Sequence, residues 1–157
     1  MQRRKFIRVL GTAGVILAAA ASGAYGWIAT RTPEKALAPW NSAGSASYKD
    51  PRMKALSYAI LAPNPHNRQP WLVDLKKPDR IVLYCDLQRL LPHTDPFSRQ
   101  ILMGHGCFLE LLEIAAGQLG FTTTITTFPD GSSDDTLDKR PIAFIDFTAR
   151  LNAKRDP

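Results

Sequence analysis

Few of the residues from which catalytic and metal sites are commonly built occur in this sequence. Cysteine occurs only twice, as Cys85 and Cys107, and histidine three times. The cysteines form no C-x-x-C pair, and no cysteine and histidine have the spacing of a zinc site. The sequence also contains neither a G-x-S-x-G nor an H-E-x-x-H segment. These absences argue against hydrolytic chemistry and against a bound metal ion.

The two cysteines are far apart in the sequence, which favours free thiols over a disulfide. Free cysteine is among the residue types most often buried, so we expect Cys85 and Cys107 to be buried and unpaired. Oxidation of the pair is the alternative if the protein reaches an oxidising compartment.

Acidic residues are absent from the N-terminal region, and this absence raises the net positive charge of the whole chain. The 157-residue chain has 20 basic and 14 acidic residues, a net charge of +6, yet the first acidic residue is Glu34. Arg3, Arg4, Lys5 and Arg8 account for most of the excess, and without them 16 basic residues face 14 acidic ones. No basic stripe interleaved with aromatic residues is present, so nucleic-acid binding is not expected.

The N-terminal segment predicts export. A basic head at residues 3–8 precedes an apolar, alanine-rich and glycine-rich run over residues 9–29. The adjacent Arg3-Arg4, followed by Lys5-Phe6 and an aliphatic residue, resembles a twin-arginine translocation signal. Small residues at 22–24 would allow cleavage, whereas the length of the run also suits a membrane anchor. We therefore predict that the chain is periplasmic or anchored in the inner membrane.

The remainder of the chain is long enough for one domain with a real core. Residues 30–49 are rich in Pro, Ala, Ser and Gly, and predict a linker over the surface, with Trp40 as its only large anchor. Residues 50–150 form the predicted folded lobe, and residues 151–157 a frayed polar tail.

Two helices are predicted within the lobe, each from an Asp-Pro start. Asp50-Pro51 supplies an N-cap and a first helical residue, and an apolar face follows at Met53, Leu56, Ile60 and Leu61. Asp95-Pro96 repeats this start, and a long helix is predicted from Phe97 to Leu119, ended by Gly120. The long helix has no clean polar face, so we expect it to be buried on several sides.

Four segments predict strands. Residues 71–75 and 80–85 are joined so briefly that they predict an antiparallel hairpin, and residues 121–128 and 141–147 predict two further strands. The predicted fold class is α+β, with a small, mostly antiparallel sheet packed on a long buried core helix.

Small residues and a histidine lie within the long predicted helix. Gly104 and Gly106 each cost about 1 kcal/mol relative to Ala in a helix interior, so we expect them to admit close approach by another backbone or a flat ligand. His105 lies between them in an apolar setting and is expected to be a core or interface histidine.

The stretch most suited to ligand recognition is the proline loop, residues 61–71. Its prolines at 63, 65 and 70 fix the backbone and remove three donors, so it belongs neither to a helix interior nor to a central strand. The run from 66 to 69 reads His-Asn-Arg-Gln, which gives a stiff loop several directional hydrogen-bonding groups.

This loop resembles the A-P-S-x-x-N-x-Q-P-W loop of the FMN-dependent nitroreductase family, most closely that of its exported, two-lobed Acg-like branch. The resemblance implies that Asn67 bonds the polar edge of the flavin and that Gln69 holds the loop or faces the ring. An amide supplies both a donor and an acceptor, which matches the alternating edge of a flavin. His66 lies in the same loop and could approach the ligand.

Two features of that family are missing from this sequence. No R-x-S-x-R segment, which holds the FMN phosphate in nitroreductases, is present, and Arg68 and Arg99 are the nearest substitutes. The family also builds its flavin site between two lobes or subunits, and this chain resembles the first lobe alone. The resemblance therefore implies a homodimer or a separately encoded second lobe as partner.

The function implied by the resemblance is that of an exported FMN-binding oxidoreductase. It would pass hydride or electrons from NAD(P)H through FMN to nitro or quinone compounds, after export by the twin-arginine machinery. In such enzymes the flavin performs the redox chemistry, which agrees with the lack of an obvious nucleophile or acid–base pair. The alternatives are a non-catalytic protein that binds or sequesters flavin and an inactive truncated lobe.

Overall fold

The computed structural model describes residues 18–31, 34–133 and 136–150. The chain divides into two units, residues 1–38 and residues 39–157. In the first unit, residues 18–29 form a helix, α1, whose residues are all exposed. Within the described ranges, no helix is both long enough and apolar enough to cross a membrane. The predictions for residues 1–17 and for the tail at 151–157 lie outside the described residues.

The segment predicted to be a linker contains a second helix, α2, at Glu34–Ser42. Glu, Lys, Ala and Leu are good helix formers, and in its first residues they outweigh Pro39. None of its residues is buried, and Trp40 is exposed. This part of the predicted linker is therefore helical, and Trp40 is not buried in it.

Four antiparallel strands form the sheet. They are β1 at Trp71–Asp74, β2 at Arg80–Cys85, β3 at Phe121–Thr127 and β4 at Ala143–Ala149. The spatial order is β1-β2-β4-β3, so β2 and β4 are central. The predicted hairpin pairs β1 with β2, in a register that places Trp71 opposite Cys85.

Two helices, α3 at Pro51–Ala59 and α4 at Arg99–Gln118, complete the lobe. Alternate residues of the central strands are buried, as expected for a sheet with one face on the core. The buried side chains of the sheet and helices form one cluster, whose largest fully buried members are Phe108, Ile81, Leu83, Ile101, Leu112 and Ile145. The predicted α+β class, with an antiparallel sheet on a long core helix, is confirmed.

The buried face of α3 consists of Ala55, Leu56, Ser57 and Ala59. Ala55 and Ala59 are fully buried and Ala62 nearly so, whereas Met53 is 39% exposed. The predicted apolar face is confirmed at Leu56, which is 6% exposed, but it is wrong at Met53, because Ala55 and Ala59 face inward instead. Alanines at i, i+4 and i+7 leave little volume between helices and allow α3 to lie close to α4.

The start of α4 differs from the prediction by two residues. The helix begins at Arg99, after Ser98, which has a left-handed φ of 54°. Asp95 still caps the helix, but from outside it, since its Oδ2 accepts a hydrogen bond from the Ile101 N–H at 3.0 Å. The predicted end is confirmed: Gly120 follows the helix with a φ of 86°.

One face of α4 is open in the described part of the chain. Met103 is 64% exposed and Ile114 is 52% exposed, while the opposite face is buried from Ile101 to Ala116. The prediction of burial on several sides is therefore wrong for this face. An apolar sequence pattern indicates that every face of a helix can make hydrophobic contacts. It does not indicate which of those contacts are made within the same chain.

Arg52 holds the turn between β1 and β2. Its guanidinium bonds the Asp50 carboxylate at 2.7 Å and donates to three backbone carbonyls of that turn, at distances of 2.7 to 3.2 Å. Asp50 also caps α3 as predicted, since its carboxylate accepts from the Arg52 N–H at 2.9 Å. This cluster fixes the hairpin relative to the start of α3.

Candidate functional site

The proline loop contains a run of left-handed residues that are not glycine. His66 and Asn67 have φ values of 50°, and Gln69 has a φ of 47°. A left-handed backbone costs an L-residue roughly 1–2 kcal/mol, less for Asn than for most others. Such strain persists only where surrounding contacts enforce it, and it is concentrated at functional sites.

Asn64 enforces the shape of this run. Its Oδ1 accepts a hydrogen bond from the backbone N–H of Gln69 at 2.7 Å, and its Nδ2 donates to the carbonyl of Ala62 at 3.1 Å. One side chain therefore bonds the chain on both sides of the run. Sequence reasoning assigned no role to Asn64, although the Asn64-Pro65 dipeptide is a recognised turn signal.

The two amides predicted to contact a ligand lie together. Gln69 Nε2 donates a hydrogen bond to Asn67 Oδ1 at 3.2 Å, and both residues are exposed. This bond leaves both N–H groups of Asn67 Nδ2, the second N–H of Gln69 Nε2 and the Gln69 Oε1 acceptor for a ligand. His66 is also exposed on the same loop. The structure thus brings together three of the five predicted residues.

Arg68 lies in the same loop but has a structural role. Its Nε donates to the Arg89 carbonyl at 2.9 Å and its Nη2 to the Gln88 carbonyl at 3.2 Å. In return, Arg89 Nη1 donates to the Arg68 carbonyl at 2.9 Å. The two arginines therefore fasten the proline loop to residues 86–91. Much of the hydrogen-bonding capacity of Arg68 is used by backbone groups.

Arg99 is found in a different place. It lines a cavity of about 310 Å³ with the segment that connects β3 to β4, and this cavity is lined by no residue of the proline loop. Its guanidinium lies 5.5 Å from the centre of the Phe97 ring. The cavity is separate from the exposed amides, so the structure does not place Arg99 beside Asn67 and Gln69.

Gly104 of α4 supports the proline loop. A Cβ at this position would lie 3.2 Å from the Asn64 Cβ and 3.4 Å from the Pro65 Cδ. The space predicted for a backbone or a flat ligand is therefore occupied by the loop itself. A Cβ at Gly106 would meet nothing within 4 Å, because that glycine is on the open face of α4.

His105 is buried beneath the end of the proline loop. The residue is 1% exposed, and its Nδ1 lies 2.9 Å from the Ile101 carbonyl, to which it must donate. Its ring meets the edge of Trp71, with centres 6.1 Å apart. Burial lowers the pKa of His105 below its usual value. The expected core position is confirmed, although Nε2 has no hydrogen-bonding partner within the part of the chain that the structure describes.

These residues fit part of a flavin. The free donors and acceptor of the amide pair match the polar edge of an isoalloxazine ring. A phosphate group fits less well, because Arg68 is bound to backbone carbonyls and Arg99 lies at a separate cavity. The loop therefore suits the ring of FMN, and the described residues named here do not form a clamp for its phosphate.

Two sequence relatives of this chain are provisionally named NAD(P)H nitroreductases. No family model matches the sequence. A Mycobacterium tuberculosis protein provisionally named NAD(P)H nitroreductase acg is 32% identical over 102 residues, or 63% of this chain and 30% of that relative. A second provisionally named NAD(P)H nitroreductase of the same organism is 32% identical over 75 residues, or 48% of this chain and 22% of the relative. The chain thus spans less than a third of the length of either relative.

Solved structures show the same fold. A Clostridium acetobutylicum protein, provisionally named an NADH oxidase, superposes with a TM-score of 0.53 at 15% identity, over 72% of this chain and 83% of that one. A nitroreductase family protein from Clostridium difficile gives a TM-score of 0.50 at 16% identity, over 70% and 76% of the two chains. The fold is that of nitroreductases, and the sequence relatives support a relationship to the nitroreductase family.

Proposed function

We propose that this chain is the flavin-binding lobe of an exported oxidoreductase of the nitroreductase type. The observation that carries the proposal is the exposed Asn67–Gln69 amide pair, held on a strained loop by the 2.7 Å bond from Gln69 N–H to Asn64. Three left-handed residues in four positions cost conformational energy, and strain of this kind is concentrated at functional sites.

In this proposal the amides orient the cofactor. Asn67 Nδ2 donates to a carbonyl of the isoalloxazine edge, and Gln69 Oε1 accepts from its N–H. His66 borders the ring, while the rest of the loop stays fixed by its bonds to Asn64 and Arg89. Bound FMN would supply the hydride and electron transfer from NAD(P)H to nitro or quinone compounds, so the protein need only bind and orient it.

A second lobe or a second copy of the chain would complete the site. The open face of α4 carries Met103, Gly106 and Ile114 together with the exposed Glu110 and Glu113, a mixed apolar and acidic surface of the kind found at protein interfaces. The missing phosphate clamp would come from that partner. The short span of the sequence matches agrees with this proposal, since each relative is more than three times as long as its matched part.

Export by the twin-arginine machinery, to the periplasm or the outer surface of the inner membrane, is part of the same proposal. Its support is the Arg3-Arg4 pair and the exposed aromatic residues of α1. Tyr25 and Trp27 are 76% and 58% exposed, and the Arg31 guanidinium lies 3.3 Å from the centre of the Trp27 ring. Aromatic and basic residues at the end of an apolar segment are typical of a membrane interface.

Titration of the full chain with FMN, followed by visible absorption and by mass in solution, tests the proposal. We expect a flavin band in a dimeric or partner-bound species, and roughly tenfold weaker binding in Asn67→Ala and in Gln69→Ala, because each loses about one hydrogen bond. Gln88→Ala is the matched control, since this exposed glutamine contributes only its backbone carbonyl to the loop contacts.

Two results would favour the alternatives. Tight FMN binding without turnover of NADH or NADPH against a nitroaromatic or a quinone would indicate a flavin-sequestering protein. A folded chain that binds no FMN at any concentration or oligomeric state would indicate an inactive lobe and would overturn the proposal.

A further inference from the structure

We propose that His105 is the positioning residue of the proline loop. It touches neither of the exposed amides, but it fixes Trp71 at the C-terminal end of the loop. Only the last step of this inference, the effect on flavin affinity, rests on the function proposed above.

Adjacent residues of α4 contact the two ends of the loop. Gly104 receives the Asn64–Pro65 segment, where an added Cβ would lie 3.2 Å from Asn64. His105 meets Trp71 at the other end, with the ring planes at 82°. One helical turn therefore sets the separation of the two ends, and a fixed separation restricts the conformations open to residues 66–69.

The imidazole itself is held in one orientation. Nδ1–H donates to the Ile101 carbonyl at 2.9 Å, which fixes the ring against its own helix. Trp71 then lies between two aromatic groups of α4, since the Phe108 ring centre is 5.0 Å from the Trp71 ring centre. His105 and Phe108 therefore both contact the indole and restrict its position.

The second ring nitrogen of His105, Nε2, indicates that this side chain does more than fill volume in the core. Nε2 is buried and, among the residues that the structure describes, has no hydrogen-bonding partner. A buried polar atom without a hydrogen-bonding partner lowers the stability of the fold. Leucine would fill a similar volume without this cost, so the polar ring is better explained by what it positions.

The experiment uses Trp71 as its own reporter. Trp27 and Trp40 are exposed, so a Trp27→Phe/Trp40→Phe background leaves Trp71 as the single tryptophan. In this background His105→Leu removes both donor and ring, whereas His105→Asn keeps an amide donor near the position of Nδ1. Leu112→Val, a fully buried change two turns further along α4, is the matched control.

We measure Trp71 emission and the hydrogen exchange of the Gln69 amide, whose N–H is bound to Asn64. We expect His105→Leu to shift the emission to the red and to speed Gln69 exchange at least tenfold, and His105→Asn to restore part of the protection. Leu112→Val should lower stability with both signals unchanged. Wild-type signals in His105→Leu, or equal losses in the two His105 variants, would overturn the proposal.

The affinity for FMN tests the one step of this inference that rests on the proposed function. If the proline loop binds flavin, His105→Leu should weaken FMN binding about tenfold, and Leu112→Val should leave it unchanged. If the wild-type chain binds no FMN, the function proposed above fails. The exchange and emission measurements then still decide whether His105 positions the loop.

Discussion

The side chain of Asn64 closes the proline loop by accepting the Gln69 N–H at 2.7 Å. This bond spans the residues with left-handed φ, so it holds the segment that would face a ligand. Asn64→Ala should destabilise the protein by about 0.5–1.5 kcal/mol, because it removes the hydrogen bond that the Gln69 N–H donates. Asn64→Asp retains the acceptor and should lose less. Urea unfolding of the two variants makes the comparison, and equal losses would show that the bond is not the cause.

The left-handed φ of 50° at His66 predicts an unusual order of stabilities. Glycine adopts this conformation without steric cost, so His66→Gly should be more stable than His66→Ala by about 1 kcal/mol. Arg68, with a φ of −68°, is the control: there the alanine variant should be the more stable of the two. Thermal unfolding of the four variants measures both differences. The same order at both positions would contradict the assigned backbone conformation.

The two glycines of α4 should respond in opposite ways to alanine. At Gly106 nothing lies within 4 Å of an added Cβ, so alanine should stabilise the helix by about 0.5–1 kcal/mol. At Gly104 the Cβ would lie 3.2 Å from Asn64, so the gain should be lost and the loop displaced. Unfolding curves and Gln69 amide exchange for the two variants measure this. A stabilised Gly104→Ala with unchanged exchange would refute the close contact.

The Asp50–Arg52 cluster should make the protein sensitive to acid. The hydrogen bond from Arg52 lowers the pKa of the Asp50 carboxyl, outweighing the opposing effect of burial. A lowered folded pKa contributes stability above the unfolded value of about 4, and that stability is lost as the pH falls through the folded pKa. Arg52→Ala should cost about 2 kcal/mol at neutral pH through the lost charge-assisted bonds.

The check is unfolding of wild type and Arg52→Ala between pH 7 and pH 2. The stability difference between them should narrow below about pH 4. Lys76→Ala is the control, because the Lys76 side chain is 89% exposed in its pair with Asp74 and such pairs contribute little. A difference that is constant with pH would show that Asp50 is not the titrating partner.

The two thiols should differ in reactivity. Burial raises the pKa of the Cys85 thiol to about 12, so very little thiolate is present at neutral pH, whereas Cys107 is only partly buried. A thiol reagent should therefore modify Cys107 first and Cys85 only at the rate of unfolding. Mass spectrometry of wild type and Cys107→Ser follows both reactions. Fast labelling of the Cys107→Ser chain would contradict the burial of Cys85.

The parts of the fold that local chemistry determines were predictable from the sequence. The hairpin, the cap at Asp50 and the glycine after α4 all follow from neighbouring residues, and the structure confirms them. The start of α4 lies two residues later than predicted. Asp95 caps the helix by accepting from the Ile101 N–H, and the chain between them passes through a left-handed Ser98. The Asp-Pro pair does not specify this geometry.

The candidate site was only partly predictable. The resemblance located the two amides, but the roles of Asn64 and Arg68 depend on contacts to backbone groups that no residue pattern specifies. Likewise, helical periodicity identified an apolar α4 but not its open face, which is defined by the elements that pack against it. Those contacts join segments that are far apart in the chain, and no local sequence pattern specifies them.

The sheet order also bears on when the protein can fold. Each hairpin is local, but the central β2–β4 pair joins Arg80 to Asp146, 66 residues later. Closing so long a loop loses chain entropy before the strand contacts can offset that loss. This pairing should therefore form last. At about 5–20 residues per second, synthesis from residue 30 to residue 146 takes on the order of ten seconds. If the N-terminus is an export signal for folded protein, it therefore emerges well before the sheet can close.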